Sequence, residues 1–82
     1  MKQIYCVRDA ASELYDDPVV VRAPGEAMRA FEGWARNPET LICKNPEHFS
    51  LWHVGSYDPA TGKIEAIEPV CLVKAVDIPK ER

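Results

Sequence analysis

Apolar and polar positions follow two different periods along this chain, and the switches between them mark its elements. From Lys2 to Arg8, KQIYCVR places β-branched and aromatic residues on both faces, which predicts a first strand inside a sheet. The polar stretch DAASELYDDP reads as a connection, and Val19 to Ala23 as a second, short strand. The period then changes. Ala27, Ala30, Phe31 and Trp34 fall at i, i+3, i+4 and i+7, with Met28 and Ala35 beside them, the spacing of an amphipathic helix. Pro24 suits the first turn, where a missing N–H is harmless. Glu26 and Arg36 complement the helix dipole. Asn37 precedes a proline, which disfavours helical backbone and ends the helix.

Two Asn-Pro-Glu triplets follow, at Asn37 and Asn45. Each pairs a capping Asn with a proline suited to a first helical position, so two short helical turns are expected on either side of TLICK. FSLWHVGSY alternates as a strand. Strict alternation puts Phe49, Leu51, His53, Gly55 and Tyr57 on one face and Ser50, Trp52, Val54 and Ser56 on the other. DPATG is a hairpin loop, with Pro59 presetting a type I turn and Gly62 supplying a left-handed residue. KIEAIE returns as a strand that ends, or lies at an edge, where Pro69 interrupts it. VCLVKAVDI is the last strand. The order β-β-α-β-β-β predicts a single α+β domain: a four- to five-stranded, mainly antiparallel sheet with one main helix on one face. The other sheet face is then left for a partner chain, a ligand or solvent.

At 82 residues with 46% apolar content, the chain is long enough for one modest core, and dimerisation would bury more surface. A homodimer is therefore expected. Three widely spaced cysteines, Cys6, Cys43 and Cys71, do not form the even, dense pattern of a disulfide scaffold. They read as thiols in a reducing compartment. Neither a secretory signal nor a membrane-length apolar run is visible, so an intracellular protein is expected. The net charge of −3 is unlike that of a simple electrostatic nucleic-acid binder. The acid is unevenly placed, since Asp9, Glu13, Asp16 and Asp17 share a stretch with no basic residue.

The chemistry-bearing residues point away from catalysis. Cys43, His48 and His53 do not match a zinc-finger or ribbon spacing, and they lack the oxyanion donors and orienting group of a Cys–His nucleophile. The four glycines are isolated, so there is no phosphate loop. No enzyme, metal or cofactor is expected. Two features remain. Trp52 faces away from Phe49 and Leu51, where it either stacks a nucleic-acid base or anchors a protein interface. Arg8, Arg22, Arg29 and Arg36 either form a strip for phosphates or sit on a solvated helix face beside Glu26 and Glu32. Tyr57 joins Trp52 as a stacking candidate only if a bulge near Gly55 turns it to the same face.

GEAMRAF followed by NPEHFSLWHVGSYDPATGKIE resembles the small non-structural protein of gokushovirus-type microviruses, a family described as DNA-binding. The resemblance extends from the IYCVRD strand to the closing PVCLVKA strand, with the pieces in the same order. It implies a phage protein made in the host bacterial cytoplasm and absent from the mature capsid. It further implies binding of single-stranded DNA, in the switch from duplex replication to single-strand synthesis and packaging. Arg8, Arg22, Arg29, Arg36, Trp52 and Tyr57 are the candidates for that contact. The alternative is an acidic adaptor or inhibitor acting on viral or host replication proteins through the loop from Asp9 to Asp17.

Overall fold

The computed structural model describes residues 1–79. Strand β1 (Lys2–Asp9) is central. One edge pairs with β2 (Leu14–Tyr15) and β3 (Val19–Val21), and the other with β4 (Phe49–Asp58), which pairs in turn with β5 (Lys63–Lys74). All pairings are antiparallel. Helix α1 (Pro24–Arg36) and the short α2 (Leu41–Lys44) connect β3 to β4, with 3₁₀ turns at Pro46–His48 and Ala75–Asp77. This is the expected α+β architecture.

The core lies between α1 and one face of the sheet. Ala27, Phe31 and Ala35 of the helix meet Tyr5 and Leu51 of the sheet, and Ala75 and Ile78 close the end. Phe31 is fully buried, and Tyr5 and Leu51 nearly so. The buried stripe thus runs at i, i+4 and i+8, rotated from the expected one. Trp34, expected in the core, is 37% exposed. The cause is the brevity of the strands on that flank, since β3 has three residues and β2 two. Trp34 and the β3 residues Val19 and Val21 line a shared hollow instead of closing it.

Local chemistry explains the ends of α1. Glu26 reaches back so that its carboxylate accepts from the Arg22 and Ala23 N–H groups, at 2.9 and 3.2 Å, satisfying donors that every helix start leaves open. At the other end Arg36 Nε donates to the Pro79 carbonyl at 3.0 Å. The first Asn-Pro-Glu triplet forms a turn rather than the expected helical one. Thr40 takes the capping role, its Oγ1 accepting from Cys43 N–H at 3.1 Å, so TLICK itself becomes the helix α2. The second triplet does open a helical turn, at Pro46.

The final two expected strands are one. β5 runs continuously past Pro69, which is tolerated because β5 is an edge strand and its outer side has no partner among the described residues. Opposite this site the register slips: His53 pairs with Val70 and Gly55 with Ala66.

A second departure is β2, which lies inside the expected polar connection. It is produced by a hairpin loop that repeats the one at Asp58. In DPATG the Asp58 carbonyl accepts from Gly62 N–H at 2.7 Å and its Oδ1 from Ala60 N–H at 2.9 Å. In DAASE the Asp9 carbonyl accepts from Glu13 N–H at 2.8 Å and its Oδ1 from Ala11 N–H at 2.9 Å. The fifth residue is left-handed in both, with φ of 77° at Gly62 and 61° at Glu13. A β-carbon is disfavoured there by about 1 kcal/mol. Glu13→Gly is therefore expected to stabilise the protein by about that amount, read as a higher urea midpoint at unchanged slope. A lower midpoint would contradict this account of the loop.

Candidate functional site

The sheet face away from α1 is built by cross-strand pairing in four rows. Lys2 pairs with Tyr57, and Tyr57 with Ile64. Val20 pairs with Ile4, Ile4 with Gly55, and Gly55 with Ala66. Cys6 pairs with Trp52, and Trp52 with Cys71. Tyr15 pairs with Arg8, Arg8 with Ser50, and Ser50 with Lys74. The β1 members, Lys2, Ile4, Cys6 and Arg8, share a face by the two-residue strand period. Their partners share it with them.

Those rows settle the position of Tyr57. Simple alternation puts it on the face opposite Trp52, but the β1–β4 register shifts between Ile4 and Tyr5, leaving Val54 as an extra residue. The bulge flips every residue beyond it. Tyr57 and Gly55 therefore move to the Trp52 face, while His53 stays on the helix side opposite Tyr5. Two features hold the bulge. His53 Nε2 lies 2.8 Å from Gln3 Oε1 and 3.0 Å from the Gly55 carbonyl. Both are acceptors, so Nε2 carries the proton and donates to them. Its ring also lies on Tyr5, with centroids 4.9 Å apart. The second feature is the close approach of β5, because a β-carbon on Gly55 would stand 2.5 Å from the Glu65 carbonyl oxygen.

Trp52 is half-buried, flanked by Cys6 on one side and Cys71 on the other. Its indole N–H donates to Ser50 Oγ at 2.8 Å. Its ring meets Tyr15 edge-on, with centroids 5.9 Å apart and planes at 81°. The Arg8 guanidinium lies 5.6 Å from the Tyr15 ring centroid, within cation–π range. Arg8, Glu47, His48, Ser50, Trp52 and Lys74 line a hollow on this side. The four rows carry the cations Lys2, Arg8 and Lys74 and no carboxylate.

Two of the remaining arginines lie elsewhere. Arg29 and Arg36 belong to α1, so the sheet stands between them and Arg8. Arg22 is exposed just before α1, its backbone N–H held by Glu26. Arg8 thus joins Trp52 and Tyr57, and the two arginines of α1 do not. Among the described residues no Lys or Arg forms an ion pair with an Asp or Glu. Lys2, Lys74 and Tyr15 were missed by sequence reasoning. The signal that would have found Tyr15 is the DAASE loop, which places it directly across from Arg8.

Burial, reinforced by Asp16 and Asp17, pushes the Cys6 thiol above its ordinary value of 9.0. Burial likewise raises the Tyr5 phenol above 10.0. Both groups stay neutral in the fold, and the Cys6 sulfur lies under the sheet face as an uncharged neighbour of the indole. No disulfide joins the cysteines. Among the described residues there is no group of three or more His, Cys, Asp or Glu side chains placed to hold a metal ion. No helix among them is long and apolar enough to cross a membrane.

A family model described as "Phage ORF5 protein" matches residues 2–78 of the chain. No curated protein and no solved structure matches it. The match spans nearly all the described elements, from β1 through the last 3₁₀ turn. The chain belongs to the Phage ORF5 protein family.

Proposed function

We propose, starting from membership of a family of small phage proteins, that the sheet face turned away from α1 binds single-stranded DNA. The observation that carries this reading is the convergence on one face of three aromatic rings, Tyr15, Trp52 and Tyr57, with three cations, Lys2, Arg8 and Lys74. Rings of this kind stack bases without regard to sequence, at about 1–3 kcal/mol per base. Cations between them neutralise the phosphates that successive bases bring along. The net charge of −3 does not oppose the reading, because the paired positions of this face carry no acid and Glu47 is the one carboxylate in the hollow beside Arg8, Trp52 and Lys74 among the described residues. The resemblance to gokushovirus-type non-structural proteins supports a role in the switch from duplex replication to single-strand synthesis and packaging. Arg29 and Arg36 fall outside the primary contact in this proposal, because α1 lies on the other side of the sheet.

A fluorescently labelled oligo-dT titrated at several salt concentrations tests it. The three cations at about −0.7 each imply a log–log slope of affinity against salt of about −2. Absence of binding at low salt, or affinity indifferent to salt, would refute the reading.

The proposal extends to a homodimer paired through β5. That strand is twelve residues long, its outer edge has no partner among the described residues, and Ile64, Ile67, Val70 and Leu72 are exposed along it. Such an edge is a template for a further strand. Antiparallel pairing of two copies would join their DNA-binding faces into one surface. Sedimentation at micromolar concentration should give twice the chain mass, and a monomer across that range would remove the dimer from the account.

A further inference from the structure

The far side of the sheet edge carries a second surface of opposite character. Between the helices and the β1–β3 flank lie three hollows of about 370, 320 and 320 Å³. They are one groove, because Val7 and Asp16 line all three, Trp34 joins the first to the third, and Leu41 and Phe49 join the third to the second. Its walls are apolar and open, with Trp34 37% and Leu41 66% exposed. Val19 and Leu14 stand exposed at its ends. Among the described residues the charged groups that line it are carboxylates, Asp9, Asp16 and Asp17, with no Lys or Arg beside them.

We infer that this groove docks a basic segment of another protein, one that presents a large apolar side chain flanked by Lys or Arg. Two observations select that occupant. The exposed indole and Leu41 need an apolar partner, and interface anchors of this kind sit in pockets that exclude water. The carboxylate rim then sets the sign of the flanking charge, since complementary charge steers encounter and like charge is rejected. Nucleic acid is disfavoured here by the same rim. The groove opens on the helix side of the sheet and meets the DNA-binding face at Tyr15, which lines its β2 end, so one chain offers DNA and a basic protein segment separate approaches. The inference does not rest on the DNA reading.

The test uses the full chain and a fluorescein-labelled peptide of mixed Lys and Leu, with a matched peptide of Glu and Leu as control. The Lys/Leu peptide should bind and the Glu/Leu peptide should not. Trp34→Ala should weaken binding by at least about tenfold, and Leu41→Ala should weaken it in the same direction. The double variant Asp16→Asn, Asp17→Asn should weaken it and flatten its salt dependence. Thermal melts by circular dichroism identify folded variants, and because Leu41 is more exposed than Trp34, it serves if Trp34→Ala fails to fold. Oligo-dT affinity should be unchanged in Trp34→Ala and Leu41→Ala, which lie outside the rows of the DNA-binding face, and this separates failure here from failure of the DNA reading. Equal affinity for both peptides, or unchanged affinity in the folded variants, overturns the inference. So does a sedimentation result in which Trp34→Ala or Leu41→Ala turns a dimer into a monomer, because a second copy would then occupy the groove.

Discussion

Gly55→Ala should destabilise the protein by about 2 kcal/mol and uncouple Tyr57 from the Trp52 face. The added β-carbon meets the Glu65 carbonyl oxygen at 2.5 Å. That atom is backbone in the neighbouring strand, so no rotamer change relieves the contact. Overpacking of this kind costs about 1–3 kcal/mol, a large part of the roughly 5 kcal/mol available to a small domain. β5 must move away from β4, and the bulge held by His53 then loses its support. A urea melt measures the first effect, and oligo-dT affinity at a temperature where the variant is folded measures the second. A melt indistinguishable from the parent would show that β4 and β5 do not approach as closely as described.

The second large effect falls on binding. Trp52→Ala should weaken oligo-dT affinity by about ten- to a hundredfold, the equivalent of losing about 1–3 kcal/mol of base stacking. The fold should tolerate the change better than it tolerates loss of Phe31, because Trp52 is outside the helix-facing core. Trp52→Phe should retain much of the affinity, since a stacking ring remains. Equal losses in the alanine and phenylalanine variants would point to the indole N–H and its Ser50 partner, and away from stacking.

Much of the layer structure was legible because it depends on composition and period. The alternation around Leu51 and the 3.6-residue pattern after Pro24 are both present in the structure, and the helix covers one sheet face only. The DPATG turn was readable because Pro59 and Gly62 each mark a backbone angle. Its twin DAASE was not, since Glu13 occupies the left-handed position without the glycine that announces it. For the same reason the sequence pattern hides β2 within a polar connection, and with it the place of Tyr15 beside Trp52.

The site was less legible than the fold for a geometric reason. One extra residue at Val54 reverses the facing of all that follows, and the alternation pattern carries that information only as a weak irregularity around Gly55. The arginines illustrate the opposite difficulty. Arg8, Arg29 and Arg36 look alike in the sequence, yet the sheet divides them. The exposure of Trp34 depends on how far β2 and β3 extend, and this is set by pairing with β1 rather than by the helix's own pattern.

The two tryptophans report on opposite sides of the sheet, which allows one direct measurement. Fluorescence of Trp34→Phe, in which only Trp52 emits, and of Trp52→Phe, in which only Trp34 emits, is followed during titration with oligo-dT. The account predicts quenching and a spectral shift in the first variant and a flat response in the second. Quenching confined to the variant that retains Trp34, or no change in either at low salt, would contradict it.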